Sequence, residues 1–135
     1  MELHLKITGF LLILLSLIHV IFPKYFNWEK ELNNLILINK QMMYVHTFFI
    51  ALVVFLTGLL CLTSSKELIE TRLGSRIALG LFIFWMLRLV IQFYGYSSAI
   101  WKGKNFETTV HILFSILWTY LSAVFFYTYW ISKNL

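Results

Sequence analysis

The sequence predicts an all-α membrane protein, an up-down bundle of four transmembrane helices with a short interfacial helix between the first and second. Two observations carry this prediction. Only 13% of the 135 residues are charged and 60% are hydrophobic, whereas a soluble domain has about 25% charged residues because its surface faces water. The chain also contains four apolar runs, at 7–22, 42–62, 77–96 and 110–131, each near the roughly 20 residues that a bilayer crossing requires. Mean hydropathy over the chain is +0.80. The spans leave no room for a second domain, so residues 1–135 read as one integral membrane domain.

The first run follows Lys6 and resembles a secretory signal peptide. It lacks a small-x-small cleavage pattern, since Phe22-Pro23-Lys24 follows directly, and is expected to be a retained helix. Between 23 and 41, Asn27 stands where a helix cap would, with Glu29 and Glu31 in the first turn. Tyr25, Trp28, Leu32, Leu35 and Ile36 then recur near helical spacing, opposite Lys30, Asn33 and Asn34. That pattern suits a helix lying in the headgroup region, placed to act as a lid. An irregular loop before the second span is the alternative. Ser64-x-x-Glu67 is a capping-box pattern ahead of the third span. Tyr94, Tyr96, Trp101, Tyr127, Tyr129 and Trp130 gather near span ends, as interfacial aromatics do.

Four crossings put both termini on one side. Lys6, Lys66, Arg72, Arg76 and Lys133 fall on that side, and Lys24, Lys30, Lys40, Lys102 and Lys104 on the other. The positive-inside count therefore ties. The compact Arg72/Arg76 pair tips the expectation toward termini in the cytoplasm, in a bacterial-type cytoplasmic membrane.

Several function classes are excluded. The net charge of +5 is spread one or two residues at a time and forms no stripe for nucleic-acid phosphates. It suits contacts with anionic lipid. One cysteine, Cys61, allows neither an intrachain disulfide nor a CxxC redox pair. Ser64, Ser65 and Ser75 have no histidine and acid partners in a triad pattern, and the glycines make no GxxxG pair. A channel or transporter is not excluded but ranks third, since four spans enclose little room and no interrupted helix or inverted repeat is visible; assembly into an oligomer would change that.

The chemistry lies in ionisable and polar residues within the apolar runs, where each costs several kcal/mol at depth. His19 falls near the end of the first span, His46 near the start of the second, Arg88 and Gln92 late in the third and His111 early in the fourth. In an up-down order all five lie toward the side opposite the termini. Arg88 and Gln92 are i, i+4 neighbours on one helix face. His111, Ser115, Thr119 and Ser122 form a polar stripe on the fourth span, matched by Thr8, Ser16 and His19 on the first and by His46, Thr57 and Cys61 on the second. Such lines are expected to face one another inside the bundle.

His19, His46, Arg88, Gln92 and His111 are accordingly the candidate ligand-binding residues, with Glu107 and Ser115 as accessories. The three histidines would be the ligands of a transition metal, two of them could hold a haem iron, or Arg88 could engage a quinone-like carbonyl or an anion while a histidine moves protons. Phe48, Phe49 and Phe114 crowd His46 and His111 and argue against haem. Glu107 could pair with Arg88, or simply favour the helix dipole as a first-turn acid. The rival reading makes the polar cluster internal glue in a structural or assembly subunit, working beside other membrane subunits or further copies of itself. Four short spans are an architecture common to many unrelated proteins and carry no kinship.

Overall fold

The computed structural model describes residues 1–100 and 102–135; Trp101, read above as an interfacial aromatic, lies outside them. The described residues are helical, with no strand. The elements are α1 (Glu2–Tyr25), α2 (Trp28–Glu31), α3 (Leu37–Thr63), α4 (Ser65–Glu70), α5 (Arg72–Tyr94) and α6 (Asn105–Ser132), with a single 3-10 turn at Ser98–Ile100. Helices α1, α3, α5 and α6 are each long and apolar enough to cross a membrane. All of them overrun the predicted spans at their N-termini, α3 beginning at Leu37 rather than 42 and α6 at Asn105 rather than 110. An apolar run ends where its polar flanks begin, but the helical backbone continues until water can take its terminal N–H and C=O groups.

The chain divides into two compact units, Leu3–Ser65 and Lys66–Leu135, the latter with Met1–Glu2. In the first unit α1 buries Leu5, Thr8, Gly9, Leu12, Leu15 and Ser16, and α3 buries Ala51, Val54, Gly58 and Cys61. Each set recurs every three or four residues, the spacing of one helix face. The two helices meet at Gly9 and Gly58. A Cβ on Gly9 would stand 2.7 Å from the Gly58 carbonyl oxygen, and one on Gly58 would stand 2.8 Å from that of Gly9. Small residues thus let the backbones touch. Pro23 removes one backbone donor, and α1 ends two residues later at Tyr25.

The expected surface helix over 23–41 is a single turn, Trp28–Glu31. Asn27 precedes it in a left-handed conformation (φ 53°) and its side chain makes no capping bond, contrary to the expectation. The turn-forming pair Asn33-Asn34 follows, and α3 absorbs the segment from Leu37 onward. Of the predicted apolar face only Trp28 is buried, edge-on to Tyr44 at 5.4 Å, while Leu35 and Ile36 are exposed. Lys40 Nζ donates to Asn33 Oδ1 at 2.8 Å and to the Glu29 carbonyl at 3.3 Å. The connection is therefore held to the first turns of α3.

The second unit is built on α5 and α6. Phe82 meets Phe126 (5.1 Å), Trp85 meets Trp118 (5.2 Å) and Phe93 meets His111 (5.8 Å), so residue numbers rise on one helix as they fall on the other. The pair is an antiparallel hairpin. The capping expectation at Ser64 is corrected here. Ser64 closes α3, and the residue that caps α5 is Thr71, whose Oγ1 accepts from the Gly74 N–H at 2.9 Å. At the far end of the pair Arg72 Nε donates to the Leu135 carbonyl at 3.1 Å.

Candidate functional site: a polar and aromatic cluster on the α5–α6 hairpin

Trp85, Arg88 and Gln92 are spaced by three and four residues and share one face of α5. Across from them α6 supplies His111, Phe114 and Trp118 on its own i, i+3, i+7 face. Trp85 and Trp118 stack with their planes 13° apart, and Phe114 stacks on Trp118 at 5.5 Å. Both tryptophans are buried.

Gln92, only 7% exposed, sits at the centre of the polar contacts. Its Oε1 accepts from Arg88 Nη1 and from Trp118 Nε1, each at 3.3 Å, and its Nε2 lies 3.1 Å from His111 Nδ1. Guanidinium and indole N–H groups can only donate. Their convergence on one atom identifies it as the amide oxygen, so the amide nitrogen donates to His111. The imidazole must then accept at Nδ1, and its neutral form carries the proton on Nε2. The Arg88 guanidinium carbon also stands 4.8 Å from the centre of the Trp118 ring and 5.5 Å from that of Tyr96, within the range of a cation–π attraction.

Beside the His111 ring an open groove of about 480 Å³ follows α6, lined by His111, Ile112, Ser115, Ile116 and Thr119 with Phe93 from α5. The hydroxyls in it face inward along their own helix. Ser115 Oγ donates to the His111 carbonyl at 2.7 Å and Thr119 Oγ1 to the Ser115 carbonyl at 2.8 Å. Ser122, Thr128 and Ser132 likewise bond carbonyls four residues back. The hydroxyl stripe of the fourth span is thus satisfied locally rather than across helices.

Of the predicted site residues, Arg88, Gln92 and His111 come together here, with Ser115 one turn beyond. Glu107 is exposed in the first turn of α6. Arg88 has its partners in Gln92, Trp118 and Tyr96, with no carboxylate in reach among the described residues. His19 and His46 belong to the Leu3–Ser65 unit. His19 Nδ1 lies 2.8 Å from the Leu15 carbonyl on the same helix, with its ring against Phe22. His46 is exposed on α3 and shares no hydrogen bond or ring contact with His19. Among the described residues no three His, Cys, Asp or Glu side chains are grouped so as to hold a metal ion.

The sequence reading missed Trp118 and Trp85, and placed Tyr96 only among the span-end aromatics. Trp118 lies seven residues after His111, on the same helix face, and that spacing was the available signal. No protein-family model, curated protein or solved structure matches the chain.

Proposed function

We propose that this chain is an integral membrane protein of four up-down spans that serves as a non-catalytic structural or assembly subunit of a larger membrane complex. Its polar cluster locks the α5–α6 hairpin. The observation that carries the reading is the buried Gln92 amide, whose oxygen and nitrogen are both committed to neighbours in the hairpin. A side chain that recruits a ligand would present an atom to open space, and this one does not. The long helices also carry large exposed apolar side chains along their length, Phe48, Leu56, Phe84, Leu87, Leu113 and Ile116 among them. Lipid or neighbouring subunits would cover these. The expected setting is a bacterial-type cytoplasmic membrane with cytoplasmic termini.

The test is Gln92→Leu, which strands the Arg88, Trp118 and His111 polar groups and is expected to lower stability in detergent by about 1–3 kcal/mol. The optical and metal content of the purified protein should be the same before and after the change. A Soret band or a stoichiometric metal in the wild-type protein, lost on substitution, would sink the structural reading.

The groove supports a second reading, in which a quinone-like molecule lies along α6 against His111 and Phe93. That reading expects added quinone to raise the melting temperature of the wild-type protein and not that of His111→Ala.

A further inference from the structure

Among the described residues Arg88 makes one hydrogen bond, to Gln92, and lies over two aromatic rings. A guanidinium carries five N–H donors in a flat fork and stays charged. Gln92 satisfies one donor and is neutral, and no carboxylate in reach among the described residues balances the charge. A partly buried cation in a hydrocarbon setting requires an anion or water.

Position narrows the choice of anion. Helix α5 has 23 residues, about 34 Å of rise, against a hydrocarbon layer of about 30 Å. Arg88 precedes its last residue, Tyr94, by six positions, about 9 Å along the axis. An extended arginine can bridge such a depth to the headgroup level. Tyr96 lies beyond the helix end, and its ring already stands beside the guanidinium. Exposed Lys102 and Lys104 occupy the connection at the same end of the hairpin. The anion that a bilayer supplies at that level is the lipid phosphate, which matches the guanidinium fork with two parallel N–H···O bonds.

We infer that the remaining donors of Arg88, held in place by Gln92, Trp118 and Tyr96, bind the phosphodiester of a membrane phospholipid, with preference for an anionic headgroup. The inference rests on the reading that α5 and α6 cross a bilayer.

Native mass spectrometry of the full chain released from detergent tests it, with phosphatidylglycerol, phosphatidylcholine or inorganic phosphate added. The wild-type protein should retain one phosphatidylglycerol in preference to phosphatidylcholine. Arg88→Gln should bind it about tenfold more weakly, the loss of a charge-assisted contact, while Lys66→Gln should match the wild type. Equal retention by wild type and Arg88→Gln overturns the site, and displacement by millimolar inorganic phosphate overturns its assignment to lipid. A protein that co-purifies with the wild type and is lost from Arg88→Gln, with lipid retention unchanged, assigns the guanidinium to a partner carboxylate instead. Where Arg88→Gln fails to fold, Arg88→Lys decides. It keeps the cation and loses the fork, so undiminished binding overturns the bidentate site. Alkaline carbonate extraction of membranes runs beside these measurements. A chain that washes out fails the spanning reading and the site with it; one that stays but shows no lipid preference fails the site alone.

Discussion

Gln92 is the side chain on which the hairpin turns, because an amide is the one neutral group that can answer two donors with its oxygen and an acceptor with its nitrogen. The stacked pair Trp118 and Trp85 makes a controlled comparison. Trp118 Nε1 donates to Gln92, whereas Trp85 Nε1 is buried with no partner among the described residues. Trp118→Phe is expected to cost roughly 0.6–1 kcal/mol, the usual range for one interhelical hydrogen bond in a membrane protein. Trp85→Phe removes an unsatisfied N–H and should be neutral or slightly stabilising. Detergent-titration unfolding of both variants measures the contrast, and equal losses would contradict the assigned bonds. The pairing of Arg88 with Gln92 was legible from their i, i+4 spacing, and the approach of His111 from its depth in the fourth span. Trp118 was legible only as a residue on the His111 face, seven positions on, because an aromatic in an apolar run looks the same whether it faces lipid, a ring or an amide.

The long helices were legible because runs of about 20 apolar residues match the length of a bilayer crossing, and their ends were not, because end position depends on where backbone groups meet water. The same limit explains the 23–41 segment. Its apolar spacing fitted a longer helix, but the left-handed Asn27 and the Asn33-Asn34 turn confine it to Trp28–Glu31. Trp28 against Tyr44 and Lys40 against Asn33 should hold this connection. Trp28→Ala is therefore expected to speed amide exchange across residues 28–36 several-fold in a nanodisc while α3 beyond residue 45 is unchanged. Fast exchange there in the wild type already would show that the contacts do not persist. The meeting of Gly9 and Gly58 was hidden for a different reason, since each is a lone glycine and the pair exists only between helices. Gly58→Leu would force its side chain into the Gly9 backbone and should destabilise the α1–α3 contact by about 1–3 kcal/mol or more. A thermal melt in detergent reads this out, with Gly80→Ala, where a Cβ meets nothing, as the comparison.

For the chain as a unit, composition decided more than any motif. With 13% charged residues and four helices of spanning length, the expected partner of most of the surface is hydrocarbon. Orientation is less determined by charge, since the ten basic residues outside the spans divide evenly between the two predicted sides. Single cysteines in place of Asn134 and Lys104, tested with a membrane-impermeant thiol reagent in a Cys61→Ser background, should react from opposite faces of sealed vesicles. Labelling of both from one face would contradict the up-down order. The metal reading depended on bringing together histidines from three separate spans, a matter of helix rotation that periodicity alone does not determine. Within the α5–α6 unit, His111 has a polar neighbour, Gln92, that the same reading had named.

The cluster lies close to the bend of its hairpin, and this bears on how the chain is made. Arg88 alone would make α5 a poor candidate for release into lipid, at roughly 2.5–3.5 kcal/mol if placed centrally. Its supporting residues Gln92, His111 and Trp118 are all within 30 positions of it in sequence and emerge from the ribosome soon afterwards. The third span could therefore wait beside the insertion machinery until the start of the fourth arrives, and the two would enter the membrane together. A nascent chain ended after residue 125 should insert α5 as well as the complete protein does, while one ended after residue 105 should leave it exposed to alkaline extraction.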